Sequence, residues 1–287
     1  MISISAVVTA PAGIANCLIP DDFLVEADDE SLELIIVDAS KNYADQSRAG
    51  LLHIAMPSAD IYDLLTAGLL RAKKDWVLFF EDHGRPMPGL LQAYRDAIED
   101  NPEVDLMSGA LANLESVSPW SFACFLYGGD VFWPPARQHP NGPTIAHLMV
   151  RRNAVLPSEA ARRGGLETLT VGRLVTAGRY MHCPTAVVDH VKPMTFREAL
   201  AFKFHSAKHA TVIRRNIMPR RGLALQTLRD CLGLVYHPTI VPLQTLYRVR
   251  GTEQFCLALW MRLVLLGVAV ALGVCWADIK GLGAKRI

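Results

Sequence analysis

The chain has 287 residues, 51% of them hydrophobic, enough for one large α/β domain plus an appendage. Its net charge of +1 hides a division: residues 1–115 hold 20 Asp/Glu against 7 Lys/Arg, whereas residues 116–287 hold 8 against 22. The six cysteines stand at least 19 residues apart, which excludes a CxxC zinc or redox pair and favours reduced thiols over a disulfide framework.

Ile2–Thr9 is an apolar run rich in β-branched residues, closed by Pro11 and Gly13, and reads as a buried strand. No Lys or Arg precedes it, so a secretory signal is not expected and the main domain should face the cytoplasm. Leu32–Val37 is a second strand ending on Asp38-Ala39-Ser40, and Leu51–Met56 a third. Ile61–Ala72 carries apolar residues at helical spacing, with Asp60 as N-cap. Trp76–Phe80 is a fourth strand and runs into Glu81-Asp82-His83. Pro86 and Pro88 break the chain, Leu90–Asp100 reads as an amphipathic helix, and Val104–Met107 as a fifth strand.

Strands alternating with helices predict an α/β domain with a mostly parallel sheet. In such sheets ligands bind outside the carboxyl ends of the strands. Asp38, Ser40, Glu81, Asp82 and His83 all fall there. Hard divalent cations take carboxylate oxygens, so closely spaced strand-end acids could hold one against a phosphate-bearing ligand. Taken singly, an acid after a strand is more often a turn or helix cap. The order and spacing of these acids favour the functional reading.

Residues 116–147 read as irregular, with Trp120, Phe122, Phe125, Tyr127, Phe132 and Trp133 either lining a cleft or packing on the core. Leu166–Ala177 reads as a helix ending at Gly178, and Thr185–Val188 as a strand ending on Asp189-His190. From Lys192 to Arg250 there are 11 Lys/Arg and two acids, interleaved with apolar residues, a pattern that suits an anionic lipid surface. Leu263–Ala277 then offers 15 uncharged residues. A spanning helix needs about 20, and Arg262 just before the run would cost roughly 2.5–3.5 kcal/mol at a bilayer centre. The stretch therefore fits three placements: spanning, lying in the interface, or packed as a soluble helix. The basic segment would also suit nucleic acid, but the adjoining apolar run makes membrane the better partner, and no nucleic acid is expected. The heavier basic cluster before the run favours a cytoplasmic main domain. Walker, G-x-S-x-G and G-x-G-x-x-G motifs are absent from the sequence.

Three stretches resemble glycosyltransferase family 2, the inverting enzymes of GT-A fold. LELIIVDAS is similar to that family's second strand with its nucleotide-binding Asp. TAGLLRAKKDWVLFFEDHGRPMPGLL is similar to the block that leads through an aromatic and four apolar residues to Asp-x-Asp and Pro-x-Pro, with Gly68, Ala72, Trp76 and Pro88 in register. LETLTVGRLVTAGRYMHCPTAVVDH is similar to the later block holding an acid, a helix ending in Ala-Gly, and then Pro and His, matched by Glu167, Gly178, Pro184 and His190. Arg151 and Arg152 fit the family's paired arginines. The sequence departs from the family at Thr66, where Asn is usual, and at His83, which replaces an acid.

The resemblance implies a GT-A, Rossmann-like domain over residues 1–191, and the basic and apolar composition beyond it gives a helical membrane-associated region over 192–287. It implies a nucleotide-sugar donor, a divalent metal (Mn²⁺ or Mg²⁺) and a lipid-linked or glycan acceptor. Asp38 and Ser40 would contact the nucleoside. Glu81, His83 and His190 would hold the metal, with Asp82 between the first two serving the diphosphate. Glu167 would be the general base that deprotonates the acceptor hydroxyl. The altered metal motif leaves a second reading, a non-catalytic scaffold in a glycan-assembly complex.

Overall fold

The computed structural model describes residues 2–11, 13–14, 17–18, 31–40, 50–113, 118–129, 132, 142–144, 146–217, 232–233, 235–248 and 257–283. Trp133, Cys231, Cys256 and the basic residues between 218 and 231 lie outside them. Two compact units are formed, Met1–Leu114 with His139–His190, and Glu115–Gln138 with Val191–Ile287.

The first unit is built on one sheet. Among the described residues its strands are β1 (Ile4–Ala10), β2 (Leu32–Asp38), β3 (Leu51–Ala55), β4 (Trp76–Glu81), β5 (Gly84–Pro86), β6 (Leu106–Ala112), β7 (His147–Arg151) and β8 (Tyr180–His190), ordered β3-β2-β1-β4-β7-β6-β8-β5. Four of the seven pairings are parallel: β3 with β2, β2 with β1, β1 with β4, and β6 with β8. The expected α/β sheet is therefore present, parallel in the majority, with β7 and β5 running against their neighbours. β1 sits centrally and all seven of its residues are buried, as a continuous apolar run demands.

Helix α1 (Ile61–Arg71) starts at Asp60, whose Oδ1 accepts from the backbone N–H of Tyr62 (3.0 Å) and Asp63 (3.1 Å). It packs Leu64, Leu65 and Leu69 into a core with Val7, Ile35 and Phe79. Gly68 faces β1 so closely that a Cβ there would lie 2.2 Å from Val7 Cγ1. Helix α2 (Leu90–Asp100) buries Leu90, Leu91, Tyr94 and Ile98, the positions its periodicity predicts. The Tyr94 hydroxyl meets His147 Nε2 at 2.9 Å inside the core. The desolvated His147 ring is driven down to a pKa of about 3 and stays neutral.

Several elements differ from expectation, among them β5, formed where Pro86 is expected to break the chain, and β6, which runs Leu106–Ala112 rather than Val104–Met107. The segment expected to be irregular contains helix α3 (Pro119–Gly129), which belongs to the second unit. Pro119 occupies its first position, where a missing N–H is harmless, and its apolar residues show no polar face to betray a period. β7 forms from HLMVR, a run too short to separate from loop. β8 begins at Tyr180 rather than Thr185, and its pairing with β6 shifts register between Gly109 and Ala110. After a single turn of helix, α4 (Pro157–Ala160), the expected helix at Leu166–Ala177 is split. Leu166–Thr170 is π-helical, with Val171 N–H bonding Leu166 O, and α5 (Val171–Thr176) follows. Gly178 at φ 70° ends it, as expected.

In the second unit, α6 (Phe196–Ile217), α7 (Val241–Arg248) and α8 (Leu257–Gly283) join α3. Two glycines bring α8 against backbone: a Cβ on Gly273 would lie 2.3 Å from Phe204 O, and one on Gly267 2.2 Å from His237 O. Leu257, Met261, Leu265, Val268, Leu272 and Trp276 form an exposed stripe along the same helix, at steps of three and four residues. Leu257–Ala277 is long and apolar enough to cross a membrane, with mean hydropathy 2.3.

Candidate active site

The carboxyl ends of β2, β1 and β4 form one edge of the sheet. Ala10 pairs with Asp38 and Thr9 with Glu81, so the two acids flank β1. Adjacent strands lie about 4.8 Å apart, which separates their backbones by roughly 10 Å.

Asp38 is 1% exposed and hydrogen-bonded on both oxygens. Oδ1 accepts from Ser40 N–H (2.6 Å), Oδ2 accepts from Ile14 N–H (3.1 Å), and His53 Nε2 stands 3.4 Å from Oδ2. Burial pushes its carboxyl up, but the hydrogen bonds from Ser40, Ile14 and His53 outweigh this and hold it below its ordinary value. Gly13, at φ 99°, brings the segment after β1 against Ser40, where a Cβ would lie 3.1 Å from Ser40 Cβ. Leu18 N–H donates to Asp82 O at 2.8 Å. Burial lifts the Cys17 thiol to about 12, with the charges of Asp82 and Asp38 adding to it. Sequence reasoning missed Cys17 and His53. Neither belongs to a motif, and only the fold brings them here.

The second part of the site is made by a pairing of β5 with β8. Gly84 pairs with His190 and Arg85 with Asp189. Arg85 Nη2 donates to Asp189 Oδ2 at 2.7 Å, and Asn113 Nδ2 donates to His190 O at 2.9 Å. His190 therefore sits beside the turn Glu81-Asp82-His83. His83 Nε2 lies 2.7 Å from Glu81 Oε2 and 2.9 Å from His190 Nε2, and His190 Nε2 lies 3.5 Å from Glu81 Oε2. Donors that share an ion at about 2.1 Å stand roughly 3–3.4 Å apart in octahedral or tetrahedral coordination. The three separations bracket that spacing, and the residues fit a metal. Burial opposes ionisation of Glu81, but the charge and hydrogen bonds of His83 and His190 overcome it and hold the carboxyl well below its usual range. A divalent cation would replace the protons among these groups, because the same lone pairs serve both.

Of the expected site residues, Glu81, Asp82, His83 and His190 come together, and Asp38 with Ser40 lies on the same sheet edge. Glu167 sits in the π-helical turn, and among the described residues no hydrogen bond or ion pair joins it to them. Its Oε1 is buried without a hydrogen-bond partner, and burial pushes the carboxyl up to about 7. The turn itself is clamped. Arg173 Nε and Nη2 donate to both oxygens of Glu159 (2.9 and 2.8 Å), and Thr170 Oγ1 donates to Glu159 Oε2 at 2.8 Å. Arg151 lies at the opposite edge of the sheet. It pairs with Asp105 (2.8 Å), and with Asp75, Trp76 and Arg152 it lines a cavity of about 330 Å³ there.

A mannosyltransferase from Pyrobaculum calidifontis, solved with GDP-mannose and Mn²⁺, is 14% identical and superposes over 99% of this chain and 88% of its own, with a TM-score of 0.55. The chain shares that enzyme's fold. Glucosyl-3-phosphoglycerate synthase from Mycobacterium tuberculosis is 16% identical over 77% of this chain and 80% of its own (TM-score 0.47), and TarS 1–349 from S. aureus is 12% identical over 100% and 93% (TM-score 0.45). The assignment of fold rests on the first of the three. No protein-family model and no curated relative matches the sequence.

Proposed function

We propose that this protein is a metal-assisted, inverting glycosyltransferase of the family 2 type. It takes a nucleotide-sugar donor and passes the sugar to a membrane-linked or polysaccharide acceptor. The observation that carries this reading is the meeting of Glu81, His83 and His190 at the carboxyl edge, on the same rim as the buried Asp38. The Mn²⁺ and GDP-mannose held by the P. calidifontis mannosyltransferase support the choice of metal and donor.

The residues divide the work. Asp38 and Ser40 receive the nucleoside through hydrogen bonds to base or ribose. Glu81, His83 and His190 hold a divalent ion, which offsets charge on the departing diphosphate. Glu167 takes the proton from the acceptor hydroxyl as that oxygen attacks the anomeric carbon, and a carboxyl near 7 is matched to this task at neutral pH. Residues 1–191 carry the chemistry, and 192–287 hold the chain on the cytoplasmic face of a membrane. The exposed apolar stripe of α8 and the basic run before it support that placement.

Titration of UDP- and GDP-sugars into the full chain with a divalent metal tests the reading, and failure to bind any of them would overturn it. His83 in place of an acid favours the alternative of a non-catalytic scaffold. Glu167→Gln separates the two: an enzyme loses glycan product, and a scaffold does not.

A further inference from the structure

The Glu81–His83–His190 cluster offers two imidazole nitrogens and one carboxylate oxygen, and this composition carries an inference about which ion it takes. It rests on the reading of these residues as a metal site. Asp82 is 4% exposed, and its Oδ1 lies 2.8 Å from His83 Nδ1. A carboxylate only accepts hydrogen bonds, so Nδ1 carries a ring hydrogen toward Asp82, and Nε2 is the nitrogen that faces Glu81 Oε2 and His190 Nε2 and would give its lone pair to a metal in exchange for its proton. Carboxylate backing of a ligating histidine fixes its tautomer and raises its basicity. Imidazole nitrogen suits Zn²⁺, Co²⁺, Ni²⁺ and Fe²⁺, whereas Mg²⁺ demands oxygen donors and gives up its waters reluctantly.

We infer that this site selects a nitrogen-preferring first-row divalent ion over Mg²⁺, that His83 sets the choice, and that Asp82 is a positioning residue acting through His83 rather than a ligand of the diphosphate. Each member of the acid–acid–His turn then has its own task. Glu81 supplies charge, His83 supplies the nitrogen, and Asp82 holds that ring in place. Two further hydrogen bonds steady the opposite wall, Arg85 to Asp189 and Asn113 to the His190 carbonyl.

The test uses the metal-free full chain, titrated with Co²⁺ and with Mg²⁺ in the absence of nucleotide. The readouts are Co²⁺ visible absorption and calorimetry. One Co²⁺ is expected per chain, bound at least about tenfold more tightly than Mg²⁺. Asp82→Asn should weaken Co²⁺ by about 10–100-fold while leaving its absorption band shape in place, since the ligands remain. His83→Asp should move the Co²⁺-to-Mg²⁺ preference toward Mg²⁺. Equal affinity of the wild-type chain for the two ions would overturn the inference with no variant involved, as would an unchanged preference in a folded His83→Asp protein. Nucleotide-sugar binding is measured in parallel. Donor binding that Mg²⁺ supports as well as Co²⁺ sinks the metal selectivity and spares the proposed function. Selective Co²⁺ binding without any donor binding does the reverse.

Discussion

His83 and His190 are 107 residues apart in sequence, yet their Nε2 atoms lie 2.9 Å apart and their rings meet edge to face at 83°. The contact exists because Gly84 pairs with His190 across β5 and β8. A Cβ on Gly84 would press on Val188 Cγ1 at 3.1 Å, so the turn after β4 lies tight against the strand that carries His190.

Removing one imidazole opens the cluster. His190→Ala should abolish metal-dependent donor binding while leaving the fold intact, because His190 is at the rim of the sheet and only its backbone carbonyl anchors Asn113. Calorimetric titration of UDP- and GDP-sugars with and without metal checks this. Retained metal-dependent binding would remove His190 from the ligand set.

Glu167 governs two pH effects. Its carboxyl, raised by burial to about 7, must ionise to act as a base, so transfer should rise with pH through about 7 and flatten above it. Linkage runs the other way for stability. Below the unfolded value near 4.5 both states are protonated; between 4.5 and about 7 the unfolded state ionises first, so the folded state loses ground as pH rises, and the loss is complete above about 7. Glu167→Gln should therefore abolish transfer and stabilise the protein at pH 8 by up to about 3 kcal/mol, with little gain at pH 4. Urea denaturation of both proteins at the two pH values measures it.

Gly68→Ala in α1 should destabilise the first unit. Alanine normally improves a helix interior by about 1 kcal/mol over glycine. Here the new methyl would meet Val7 Cγ1 at 2.2 Å, and Val7 is fully buried with a stiff, β-branched side chain. Overpacking of this kind costs about 1–3 kcal/mol, which outweighs the propensity gain. A fall in thermal midpoint is expected, and a rise would show that β1 yields.

The stripe on α8 should be dispensable for folding and required for lipid contact. Leu265→Asp with Leu272→Asp alters side chains that are 42% and 55% exposed, so solubility of the unit should be kept or improved. Cosedimentation with vesicles rich in anionic phosphatidylglycerol should fall several-fold. Undiminished binding would move the lipid contact elsewhere.

Much of this protein was legible from the chain alone. Continuous apolar runs such as ISAVVTA and LELIIVD mark buried parallel strands because both faces of the sheet are covered. Asp60 marks a helix start because its short side chain reaches free N–H groups, and Gly178 marks an end because it takes positive φ without strain. Strand-end acids at positions 38, 81 and 82 follow from the same runs. Tertiary structure alone decided the rest. β7 is inserted antiparallel between β4 and β6, and α3 has no polar face, so neither leaves a period in the sequence. The meeting of His83 with His190, the seat of Asp82 behind the His83 ring, and the hydrogen bonds of Ile14 to Asp38 and of Leu18 to Asp82 depend on strand order and register. Local sequence sets which backbone conformations are cheap, but register is set by long-range packing, and it is register that brings distant lone pairs to one point.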